Sequence, residues 1–149
     1  DYFILEKMPK KFSKIAVIEY NALFGDEHMI SVPNLENFDK SKYHYSQLCF
    51  GASLKAIINL MSKKDFTFIG SNEINNNAFF LNNDYLNYYK LKIPNNDNLK
   101  TFTELRKRDS RNEYSFISYL NFHESKKIIE DCEVLDLQDN KLKKFKSFS

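Results

Sequence analysis

Apolar and polar positions along this chain fall into a few regular patterns. Lys14-Ile-Ala-Val-Ile-Glu-Tyr-Asn21 is an unbroken apolar run that ends abruptly in a carboxylate, a phenol and an amide. A run without polar alternation is the pattern of a buried parallel strand that delivers polar groups to the ligand edge of an α/β sheet. It predicts a strand over Lys14 to Tyr20. Further on, Leu54, Ile57, Ile58 and Met61 recur at i, i+3, i+4 and i+7, with Lys55, Asn59 and Lys63 opposite. That period predicts a helix over Gln47 to Lys63. Gly51 within it would cost about 1 kcal/mol relative to alanine, so it marks a close-packing point or the true helix start. Phe66 to Gly70 and Ala78 to Leu81 flank an Asn-rich connection, the pattern of an antiparallel hairpin.

The remaining segments are weaker. Asp1 to Pro9 reads as a short helix with Phe3, Ile4 and Met8 on a loose apolar face, closed by Pro9. Ala22 to His44 is a connection far longer than the usual ~4–6 residues, and it holds an extended piece at Met29 to Val32. Asn82 to Tyr89 reads as a turn or short helix, and Pro94 to Asp97 as a break. A helix is expected over Thr101 to Arg108, a strand over Tyr114 to Tyr119, and a helix over Glu124 to Asp131. Val134 to Leu137 alternates like an edge strand, and Lys141 to Lys146 reads as a solvated basic tail. Strand, helix and hairpin in this order predict an α/β fold, a parallel sheet finished by an antiparallel edge.

Composition narrows the function classes. In 149 residues, 14 Phe and 9 Tyr supply the bulky packing in the absence of Trp. A net charge of +2 is too small to imply nucleic acid. No apolar run approaches the roughly 20 residues that span a bilayer, so a cytoplasmic protein without a membrane partner is expected. Cys49 and Cys132 are too few and too separated for a disulfide framework. Only Gly25, Gly51 and Gly70 occur, and a Gly-rich phosphate cradle cannot be built from them.

The candidate chemistry sits at the end of the first strand. Glu19, Tyr20 and Asn21 would enter the crevice where α/β sheets bind ligands. There Glu19 would orient a substrate hydroxyl or amine or accept its proton, and Asn21 would hydrogen-bond the acceptor, with Tyr20 beside them. The alternative is structural: Glu19 caps a helix and Asn21 satisfies turn backbone groups. Asn77 would reach the same crevice or serve as a turn residue. Tyr43 and Tyr45 would close a lid over a planar substrate or pack at the surface. His28, His44 and His123 lack metal-ligand spacing, so no metal is assigned. Cys49 lacks a visible activating base and reads as inert.

Ile18-Glu-Tyr-Asn21 with Phe24-Gly25, then Val32-Pro33, Phe50-Gly-Ala-Ser-Leu54 and Asn77-Ala-Phe-Phe80, resemble the carboxyl-terminal half of a bacterial class I S-adenosylmethionine-dependent methyltransferase-like family. Phe102 to Leu120 and Val134 to Leu137 are similar to that family's tail, and Asp1-Tyr2 to the end of an upstream motif. The resemblance implies a partial Rossmann-like three-layer domain over 1–94 with a small mixed tail over 95–149. It implies S-adenosylmethionine as cofactor, held by an upstream half, and a small-molecule methyl acceptor. Two functions follow. One is the substrate-side half of a methyltransferase-like enzyme. The other is a non-catalytic module that pairs with a copy of itself or another protein through an exposed sheet edge.

Overall fold

Ser53 sets the start of the main helix. Its hydroxyl accepts from the Ala56 N–H, so α3 runs Leu54–Lys63 rather than from Gln47. Gly51 lies ahead of it in the irregular approach, at a φ of +66° that favours glycine. The computed structural model describes residues 2–89 and 108–148.

Leu54, Ala56, Ile57, Leu60 and Met61 of α3 pack on a three-stranded sheet with the order β1 (Ile15–Glu19), β4 (Asn77–Asn82), β3 (Phe66–Ser71). Tyr20, Ile57, Met61 and Phe80 are fully buried in this cluster, each contributing roughly 1.5–3 kcal/mol of transfer free energy. The β3–β4 hairpin is the one that the Asn-rich connection predicts.

The sheet is not parallel. β4 is antiparallel to both neighbours: Ile15 faces Leu81 and Glu19 faces Asn77 on one side, and Phe66 faces Asn82 on the other. The Rossmann-like methyltransferase sandwich, with its parallel sheet closed by an antiparallel hairpin, is therefore not the fold. β1 and β3 do run in the same direction with α3 crossing between them, which is what strand–helix–strand encodes. But β4 is inserted between the two, a split β-α-β arrangement, so they never pair. Every strand pair among the described residues is antiparallel.

α1 (Tyr2–Lys7) buries Leu5, while Ile4 is 67% and Met8 38% exposed, so the expected apolar face is not the one that packs. The Lys64 ammonium, itself buried, fastens this helix by donating to the Glu6 and Met8 carbonyls at its carboxyl end.

A second sheet has the order β2 (Ile30–Ser31), β7 (Glu133–Asp136), β8 (Lys141–Lys144). The strand expected at an edge is thus the central one. The expected basic tail is strand β8 followed by a 3₁₀ turn, Phe145–Phe148, whose Phe145 is buried. α2 (Lys40–Tyr43) lies in the long connection, and α4 (Leu86–Tyr89) follows β4. β5 (Arg108–Arg111) pairs with β6 (Ile117–Leu120), the latter shifted from its expected place. α5 (Phe122–Ile128) begins ahead of Glu124 because Asn121 and Glu124 form a capping box. Leu23, Phe24, Ile30 and Leu48 share a second buried cluster with Ile129, Val134 and Phe145, so the chain beyond 108 packs on the long connection. The break at Pro94 to Asp97 and the boundary at 94 lie outside the described residues. So does the helix expected over Thr101 to Arg108, except for Arg108, which opens β5.

Candidate functional site

β1 orients everything around it. The Tyr20 N–H donates to the Asn76 carbonyl and the Asn82 N–H to the Lys14 carbonyl, both at 2.9 Å. Even-numbered residues therefore direct their backbone groups to β4. In an antiparallel ladder this turns the N–H and C=O of Ile15, Val17 and Glu19 to the other side. There, among the described residues, the Ser13 hydroxyl on the Ile15 carbonyl, at 2.9 Å, is the partner seen. Among the described residues, β1 is an edge strand with an open row of backbone groups.

The same three residues share the outer face of the sheet, with Ile15 55% and Val17 54% exposed. The opposite edge of the sheet is different. β3 carries a register shift between Phe68 and Gly70, and Gly70 sits at a φ of +142°. Such a bulge bends an edge away from pairing. β1 has no bulge, proline or glycine.

Beside this edge, Ile4 and Leu5 of α1 face Val17, Ile18 and Glu19 across a groove of about 220 Å³. Ile4 also lines a wider cleft of about 470 Å³ whose walls include Phe3, Val32, Leu35, Phe38 and Phe50. Lys40 stands over the Phe50 ring there, 5.5 Å from its centroid. Among the described residues, Glu19 is the charged residue lining the groove and Lys40 the charged residue lining the cleft. Among the described residues no group of three or more His, Cys, Asp or Glu stands close enough to hold a metal ion. Apolar walls beside unpaired backbone can take up an extended chain.

The residues expected to form a site are dispersed. Glu19 is exposed at the end of β1, with Asn77 opposite it across the ladder. Asn77 belongs to a turn network, its N–H donating to Asn72 Oδ1 at 3.0 Å and its Nδ2 to Asn76 Oδ1 at 3.2 Å. Tyr20 is fully buried in the first core. Asn21 is also fully buried, its Nδ2 donating to the Leu48 and Phe50 carbonyls and its Oδ1 accepting from the Leu23 N–H. It satisfies backbone groups, as the structural alternative holds.

Tyr43 sits against the second core, where its hydroxyl donates to the Glu133 carbonyl at 2.7 Å, and burial pushes its phenol well above the ordinary range. Tyr45 is 41% exposed and lies against the His44 ring, centroids 4.5 Å apart. Burial lowers the His44 imidazole below its usual value. Leu5, Ile15 and Val17, which line or flank the open edge, are not singled out by the sequence pattern. The outward positions of β1 are as apolar as the inward ones until Glu19, so no alternation marks them.

Comparison with family models, with curated proteins and with solved structures gives no significant match. Among the described residues, no helix is long and apolar enough to cross a membrane.

Proposed function

We propose that this chain is a non-catalytic interaction module that joins to a second copy of itself, edge to edge, through β1. The observation that carries this reading is the unpaired, unguarded edge of β1 with exposed Ile15 and Val17 beside the α1 groove. Two copies related by a twofold axis at Val17 would pair their β1 strands antiparallel and extend each sheet into the other. In that register Ile15 lies opposite Glu19 of the partner subunit, and Val17 opposite its own copy. Antiparallel self-pairing thus satisfies the free backbone groups, and the exposed valines meet on one face.

The methyl-transfer reading, with S-adenosylmethionine from an upstream half, finds less support. It needs Tyr20 and Asn21 at a ligand, and both are fully buried, with the Asn21 amide committed to backbone carbonyls. Among the described residues every strand pair is antiparallel, so its parallel sheet is also missing there.

Sedimentation equilibrium of the full chain over a wide concentration range tests the proposal. A reversible monomer–dimer equilibrium is expected, and Val17→Pro should abolish it. The Val17 N–H points away from β4, so proline there spares the β1–β4 ladder while blocking the free edge. Unchanged circular dichroism would confirm that the variant is folded. A wild-type monomer at every concentration sinks the reading.

A further inference from the structure

Cys49 and Cys132 are far apart in sequence, and spacing gives no reason to connect them. The fold places both in the second core, where each thiol acts on the ionisation of the other. The two environments differ. Cys49 is completely buried in the irregular approach to α3. Cys132, 8% exposed, turns the chain from α5 into β7, with its N–H donating to the Ile129 carbonyl at 3.0 Å and its carbonyl accepting from Phe145 at 2.9 Å. It also lines a surface hollow of about 310 Å³ together with Tyr43, His44, Asp131, Glu133 and Lys144. Cys132 thus borders the hollow, while Cys49 is enclosed in the same core.

We propose that Cys132 and Cys49 form a dithiol modification site that reacts with small disulfides arriving in this hollow and closes an internal disulfide bond. Cys132 is the attacking group. The interaction with the Cys49 thiol, together with the Lys144 charge, holds the Cys132 thiol below the ordinary thiol range. The same interaction, and then burial, push the Cys49 thiol up, so Cys132 is the first to become a thiolate.

In the first step the Cys132 thiolate attacks one sulfur of a disulfide RSSR. A Cys132–SR bond forms, the S–S bond of RSSR breaks, and RS⁻ leaves with the proton that Cys132 gave up. In the second, the Cys49 sulfur attacks Cys132 Sγ. The Cys49–Cys132 bond forms, the second RS⁻ leaves, and it takes the Cys49 proton. The two cysteines are oxidised by two electrons and RSSR is reduced to two RSH. The bond ties the approach to α3 to the start of β7 across the second core.

The test is incubation of the folded full chain with oxidised glutathione, followed by thiol titration and mass spectrometry of unreduced peptides. The expected product is a monomer lighter by two hydrogens, with peptides 49 and 132 linked and both free thiols lost; added dithiothreitol should restore it. Cys49→Ser should instead accumulate one glutathionyl group on Cys132, because the resolving thiol is missing. Cys132→Ser should leave Cys49 unmodified while the protein stays folded, with a rate at least about tenfold slower than Cys132 in the other variant. Wild-type protein that keeps both thiols, or stops at a stable glutathione adduct, would overturn the proposal. So would Cys49 reacting as fast as Cys132.

Discussion

The Asn21 side chain holds the Leu48 carbonyl at 2.8 Å, bridging the end of β1 to the approach to α3. A second bond reaches Phe50 at 2.9 Å, and the Asn21 oxygen receives the Leu23 N–H at 3.1 Å. Removing the amide leaves two carbonyls and one N–H without these partners inside the protein. Asn21→Ala should therefore cost about 3 kcal/mol of stability, since each such buried group left unsatisfied costs about 1–3 kcal/mol. Asn21→Asp should do no better, because a carboxylate cannot donate to the carbonyls. Urea unfolding with an unchanged m-value checks both; near wild-type stability in either variant would contradict the structural role.

Val17 and Phe80 lie on opposite faces of one sheet, and they should respond oppositely to substitution. Val17 is 54% exposed and Phe80 fully buried. At dilute protein concentration Val17→Thr should change stability by no more than about 0.5 kcal/mol. Phe80→Ala should cost about 3–5 kcal/mol, by lost transfer energy and the cavity left behind. Comparable losses at the two sites would mean that the outer face is packed in solution.

Lys64 should matter to α1 more than its charge suggests. Its ammonium donates to the Glu6 and Met8 carbonyls, while its own carbonyl receives the Lys11 N–H at 3.0 Å. Lys64→Met keeps the aliphatic stem and deletes the donors. A loss of about 2 kcal/mol is expected, from hydrogen bonds made by a charged group. Amide exchange should rise selectively over residues 2–8, because α1 alone is too short to persist. Uniform exchange changes would argue against a local fastening.

Asp136 gives the acid limb of the stability profile a defined origin. Its burial opposes charge, but the hydrogen bond from Lys143 at 2.6 Å, the Gln138 N–H and the Lys143 charge outweigh it and hold the carboxyl below its ordinary 3.8. A group whose folded value is depressed contributes its stabilisation fully above the unfolded value. That contribution disappears as pH falls through the lowered folded value. Stability measured between pH 7 and 2 should therefore fall below about pH 4, and Asp136→Asn should flatten that part of the curve. An identical acid limb in the variant would assign it to other carboxyls.

Local features were legible in the sequence, and long-range choices were not. Ser53, the Leu54 to Met61 stripe and the Asn-rich turn encode α3 and the hairpin through contacts a few residues apart. The apolar run of β1 encodes a strand, but nothing in it states that β4 rather than β3 will lie alongside. β8 was hidden because its Lys141-Leu-Lys-Lys144 looks solvated; charged edge strands protect a sheet from further pairing and read like tails. The dispersal of the candidate residues has a related reason. A polar triplet closing an apolar run marks the strand's end equally well when it serves a ligand or, as with Asn21, the chain's own carbonyls. The pairing of Cys49 with Cys132 depends on packing between distant segments, which spacing does not record.

The insertion of β4 between β1 and β3 also orders events during synthesis. β3 and β4 close a hairpin from neighbouring residues, but β1 has no strand to join until Asn82 has left the ribosome. Until then Ile15 to Glu19 is bare on both margins, and afterwards on one. A nascent chain stalled before β4 would expose twice the pairing surface of the finished protein. Encounters between two such chains on one message would begin at the same strand that the folded protein leaves open.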